Sequence, residues 1–119
     1  MTHVVDLAAA LATFTAPWEP RTVAVLNSYD VRVVKTAGEF TPHAHPDTDE
    51  LFLVLRGTLT IRMAAGDVSL GAGQLFVVPR GVVHQPVSPD GAEVLLVEPS
   101  ATVNTGDSPS GLTAARRGV

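Results

Sequence analysis

The chain has 119 residues, eight basic and twelve acidic side chains, no cysteine and a formal net charge of −4. That length fits one domain, and the charge gives no basic footprint for nucleic acid or an anionic membrane. Without cysteine there is no disulfide, no thiolate-held zinc or iron–sulfur cluster, and no thiol nucleophile.

With 45% apolar and 17% charged residues the chain is expected to fold rather than remain disordered. Its start, MTHVVDLAAALATF, carries an early acid and no basic stretch, so it does not read as a signal peptide. The apolar run stops near Trp18, too short to span a bilayer, and a cytoplasmic location is the expectation. Asp6 is placed to cap a short helix over 7–14, with Leu7, Leu11 and Phe14 at helical spacing and Pro17 and Pro20 ending it. Residues 1–20 are therefore expected to be an N-terminal helical segment.

From 21 to 99 the pattern is β. Short runs of Val, Leu, Ile and Phe predict strands at 22–27, 29–36, 39–45, 50–56, 58–63, 67–70, 74–79 and 92–98. Turn residues separate them, among them Ala37-Gly38, Gly71-Ala72-Gly73 and Pro89-Asp90-Gly91. No helix falls between, which implies an antiparallel sandwich or small barrel. Residues 100–119, rich in Ser, Thr, Gly and Ala and without a period, are expected to be a tail lying over the body or partly disordered.

The chemistry concentrates in TPHAHPDTDELF, residues 41–52. His43 and His45 are two apart on a predicted strand and so share a face. Glu50 opens the next strand and can return to that face, and His84 follows the Pro79-Arg80-Gly81 turn. Two imidazoles and a carboxylate make a mixed nitrogen and oxygen site for a divalent first-row metal. The plainer reading is a polar turn that contains histidine. His3 reads as an ordinary surface residue, and Asp47 and Asp49 as turn residues.

Gly38, His43, His45, Glu50 and Gly57, followed by Gly73, Pro79, Gly81 and His84, together resemble the two linked motifs of the cupin superfamily in its small single-domain form. There are two departures: Gly38 stands one residue closer to His43 than the motif has it, and Ser88 replaces the final Asn. The resemblance implies an all-β fold, a single jelly-roll β-barrel over 21–99 with the short N-terminal helix beside it. It implies that His43, His45, Glu50 and His84 hold one divalent transition metal, Fe or Mn ahead of Zn, Ni, Cu or Co. The activity it suggests is a metal-dependent oxygenase acting on a small chelating organic substrate. A metal-dependent isomerase, cyclase or lyase, or a non-catalytic small-molecule-binding module, would use the same site.

Alternation along 50–56 places Phe52 and Val54 on Glu50's side, so both are expected in the substrate pocket. Leu51, Leu53 and Leu55 face away, and something must cover them. A second subunit is the expected cover, making a homodimer. The motifs hold no obvious acid or base, and Tyr29, Arg32, Arg62 and Gln74 are the remaining polar candidates.

Overall fold

Alternating apolar residues with few helix formers between them leave the chain little choice but to pair strand on strand. The computed structural model describes residues 3–119 and contains one short helix, α1 (Leu7–Leu11), and seven strands. The strands are β1 (Arg21–Leu26), β2 (Tyr29–Glu39), β3 (Glu50–Gly57), β4 (Leu59–Met63), β5 (Val68–Leu70), β6 (Leu75–Val78) and β7 (His84–Pro99). All pairings are antiparallel, in the order β1-β2-β7-β3-β6, with β4 paired to both β7 and β5. This is the jelly-roll barrel expected from the sequence. Among the described residues no helix is long and apolar enough to cross a membrane.

The inner face carries the core: Val34, Phe52, Val54, Leu59, Ile61, Leu70, Val78, Val94 and Leu96 form one buried cluster. Burying each such side chain contributes about 1.5–3 kcal/mol, which sets the register, because a one-residue slip would turn the whole row outward. On the outer face, Leu11 and Phe14 from the N-terminal segment pack on Val33, with Leu7, Val23 and Leu55 around them. A helix of one turn and a half is not stable alone; this packing holds it. It is shorter than the expected 7–14. Asp6 caps it, accepting from the Ala9 N–H at 3.0 Å, and it ends at Leu11 with the Thr13 hydroxyl donating to Ala10 O.

Three strand expectations need correction, the first being the turn at Ala37-Gly38, through which β2 runs unbroken. The run 39–45 is no strand: β2 ends at Glu39, and residues 40–45 are irregular apart from a single bridge between His43 and His84. Pro42 and Pro46 have no N–H to give a ladder. Conversely, β7 is sixteen residues long and runs straight through Pro89-Asp90-Gly91, where a turn was expected. Its first half pairs with β4 and its second half with β3, so the chain bends there while changing partners. Gly91, at φ +80, supplies the bend.

The C-terminal segment follows the first of the two alternatives read from its sequence, a tail lying over the body. Residues 100–119 have no regular structure, yet they are tied to the barrel by the Thr22 N–H to Arg117 O bond, a Thr22–Gly118 bridge and an Arg116–Asp30 ion pair at 2.7 Å.

Candidate metal centre

The irregular segment after β2 and the start of β7 hold each other by a reciprocal pair of backbone bonds. The His43 N–H donates to His84 O at 3.0 Å, and the His84 N–H to His43 O at 2.9 Å. Their rings stand 4.4 Å apart, with the His45 ring 5.0 Å from that of His43. Glu50, the first residue of β3, points inward beneath them, its Oε1 3.3 Å from His45 Nε2 and 3.4 Å from His84 Nε2.

The ligand atoms of His43, His45, Glu50 and His84 all lie within 4.8 Å of one another. These residues are 3, 6, 5 and 0% exposed. The structure thus brings together the four residues that the sequence singled out, while His3 is exposed and lies outside the group.

Their tautomers follow from their neighbours. His43 Nδ1 lies 2.9 Å from Thr41 O and His84 Nδ1 2.9 Å from Val82 O. A carbonyl only accepts, so each Nδ1 carries the hydrogen and each Nε2 presents a lone pair. That is how metal-ligating histidines are normally oriented.

His45 Nε2, His84 Nε2 and Glu50 Oε1 are buried without any hydrogen-bond partner. A buried polar atom left unpaired costs about 1–3 kcal/mol. Three of them converging on one point is the mark of a place for a cation, and the 3.3 and 3.4 Å separations of Glu50 Oε1 from the two imidazole nitrogens suit ligands about 2.0–2.2 Å from a shared ion. The donor set therefore fits a divalent transition metal. Three imidazoles and one carboxylate can hold it and leave coordination positions for a further ligand.

The electrostatics favour the same reading. Burial lowers the His43 pKa to about 4, only partly opposed by the Thr41 carbonyl, so its ring stays neutral. Burial alone would raise Glu50, but the facing Glu98 carboxyl and the His45 and His84 rings together hold it well below the usual carboxylate range.

Glu98 was not among the sequence candidates. Leu51 pairs with Val97, and one more step of that register sets Glu98 across from Glu50 on the inner face. Its Oε1 accepts from Arg32 Nη1 at 2.8 Å, while its Oε2 is buried without a partner. Burial first, and then the Glu50 charge, push its carboxyl well above the ordinary value. The signal was in the sequence: Ala92, Val94, Leu96 and Glu98 alternate inward, and the last of them is an acid.

Of the other polar candidates only Arg32 is inside, held by Asp30 and Glu98; Tyr29, Arg62 and Gln74 are exposed. Beside the four ligands lies a cavity of about 40 Å³, walled by Trp18, Phe40 and Phe52 and touched by His43, Glu50 and Glu98. Phe52 thus lines it, whereas Val54 sits fully buried in the core. Phe40 stacks on Trp18 at 4.8 Å and meets the His43 ring edge-on at 5.5 Å.

Comparison with known proteins agrees with this architecture. A cupin-2 domain-containing protein from Shewanella frigidimarina superposes with a TM-score of 0.79 at 38% identity, over 81% of this chain and 94% of that one. Protein NMB1881 from Neisseria meningitidis gives 0.75 at 26% identity, over 82% and 100%. The uncharacterized protein YdbB of Bacillus subtilis is 38% identical over 64 residues, 53% of this chain and 57% of that one. The putative germin-like protein 8-1 of rice, Oryza sativa subsp. japonica, is 31% identical over 70 residues, 50% of this chain and 32% of that one. The matches thus reach little more than half the length of YdbB and about a third of the rice protein. The cupin domain model matches residues 30–98, from β2 to the end of β7, and the chain belongs to that family.

Proposed function

We propose that this chain is a metal-dependent enzyme, an oxygenase acting on a small organic molecule that chelates through two oxygens. In this reading His43, His45, Glu50 and His84 bind one divalent transition ion, iron or manganese ahead of zinc, nickel, copper or cobalt. The unit that does so is the barrel 21–99, flanked by the segments 1–20 and 100–119.

One observation carries the proposal: the three unpaired buried ligand atoms converge beside a cavity walled mainly by apolar side chains. The bound ion would supply Lewis-acid polarisation of a ligand oxygen and, if iron, redox access to dioxygen. The protein's part is to orient two Nε2 lone pairs through Thr41 and Val82, keep His43 neutral and exclude water with Trp18, Phe40 and Phe52. The small cavity favours a small ligand.

Glu98 favours a second reading, an isomerase, cyclase or lyase. A buried carboxyl that keeps its proton near the ligands suits proton transfer to a polarised substrate. Turnover of diketone, catechol and keto-acid panels by the metal-loaded protein, with and without oxygen, separates the readings. The oxygenase consumes O₂ and stops under anaerobic conditions, whereas an isomerase, cyclase or lyase does not. Ligand binding without product under both conditions would favour a binding module.

A second copy of the chain is the partner we assign to the outer face. Val31, Val97, Leu51 and Val77 form one apolar row across four strands, and Val33, Leu95, Leu53 and Leu75 form the next. The N-terminal segment covers only the Val33 and Leu55 end. Leu75 and Val77 are 57% and 42% exposed.

A further inference from the structure

The family match stops at residue 98, yet the segment beyond it reaches the metal centre. Ala44 lies between His43 and His45 in a stretch with almost no strand ladder to hold it. Both its backbone groups are paired to one residue of the C-terminal segment. The Ala44 N–H donates to Asp107 Oδ1 at 2.8 Å, and the Asp107 N–H donates to Ala44 O at 3.0 Å.

Gly106 makes the approach feasible. At φ +53, a Cβ there would overlap Ala44 O and sit 3.0 Å from His43 Cδ2. The segment is secured on both sides of this contact. Asn104 donates to Trp18 O and Leu112 O and accepts from the Ala114 N–H, and Thr105, fully buried, shares a hydroxyl bond with Thr113. Further on, Arg116 pairs with Asp30.

We propose that Asp107 is a positioning residue of the metal centre: with Gly106 it clamps the His43–His45 segment from outside the barrel, so that ion binding and docking of residues 100–119 are coupled. The inference rests on the metal reading given above. Groups that orient ligands typically change metal affinity ~10–100-fold when removed. Coupling between two sites is reciprocal, so the ion must stabilise the docked segment by the same factor that docking adds to ion affinity.

The test is Co(II) titration of the full chain against a competing chromophoric chelator, for the parent, Asp107→Ala and Asp107→Asn. Asp107→Ala removes an exposed side chain and is expected to bind Co(II) about tenfold more weakly, with an altered visible absorption band. Asp107→Asn keeps an oxygen for the Ala44 N–H and is expected to restore most of the affinity. Hydrogen exchange of a peptide spanning 100–112 should slow on Co(II) loading in the parent and respond less in Asp107→Ala. Equal Co(II) affinity and spectra in the parent and Asp107→Ala, with exchange in 100–112 indifferent to the ion, would overturn the proposal. So would an Asn variant as weak as the Ala variant. A parent that takes up no Co(II) would instead remove the metal reading, and the coupling with it, a result visible before any variant is made.

Discussion

Thr41 and Val82 each spend a backbone carbonyl on holding a histidine ring, and that fixes which nitrogen of His43 and His84 faces the centre. Removing any one of His43, His45, Glu50 or His84 as alanine should therefore lower metal content sharply, while His3→Ala should not; mass-spectrometric metal analysis reads this directly. His43 also has a defined pH signature in the metal-free protein. Its ring titrates at 6.5 when unfolded and at about 4 when folded. As pH falls through that window the unfolded chain takes the proton first, so the contribution of His43 to stability is whole above 6.5 and gone below 4. The parent should lose about 2 kcal/mol more than His43→Asn between pH 7 and 4.5 by urea denaturation. The ligand residues were legible because they stand at the spacings of the two cupin motifs, although the strand that was to put His43 and His45 on one face is absent, residues 40–45 being irregular. Glu98 was less so: its role depends on Glu50 sitting across a strand pair from it, and that pairing spans almost fifty residues.

At the scale of elements, β3 and β7 meet at Gly57, where φ is +84 and a Cβ would lie 2.5 Å from Gly91 O and 2.9 Å from Ala92 Cα. Both opposing atoms are backbone and cannot swing aside. Gly57→Ala should cost about 2 kcal/mol or more, whereas Gly111→Ala, in open space, should be near neutral; thermal or chemical unfolding compares the two. The strands with clean alternation, β3 and β4, were readable from period alone. Residues 39–45 misled because an apolar Phe40 and alternating histidines imitate a strand, although Pro42 deprives the run of a ladder. The turn expected at 89–91 misled for the opposite reason: Pro and Gly there bend a strand that is changing partners. The tail lacks any period, so its docking on Ala44 and Asp30 could not be read from its own sequence; it is fixed by hydrogen bonds to residues far away in the chain.

For the molecule as a whole, a line of paired ionisable side chains leads away from the metal centre. Glu98, Arg32, Asp30 and Arg116 run in sequence from the metal centre to the C-terminal segment, with Arg32 4% exposed and paired to Asp30 at 3.1 Å and to Glu98 at 2.8 Å. Arg32→Ala leaves the buried Glu98 carboxyl without its hydrogen-bond donor and should destabilise the fold by about 1–3 kcal/mol, measured by denaturant unfolding. The apolar outer rows set the expectation for assembly: light scattering at micromolar concentration should report about twice 12.4 kDa, and Leu75→Lys with Val77→Lys should return a monomer. A monomeric parent would leave the outer rows exposed to solvent and remove the dimer. The central claim concerns the four converging ligands, and one measurement reaches it most directly. Metal stoichiometry of the purified protein reconstituted with Fe(II), Mn(II) or Zn(II) should be one ion per chain in the parent and close to zero in Glu50→Ala. A parent that retains no ion after desalting, or a Glu50→Ala protein loaded as fully as the parent, would contradict the account.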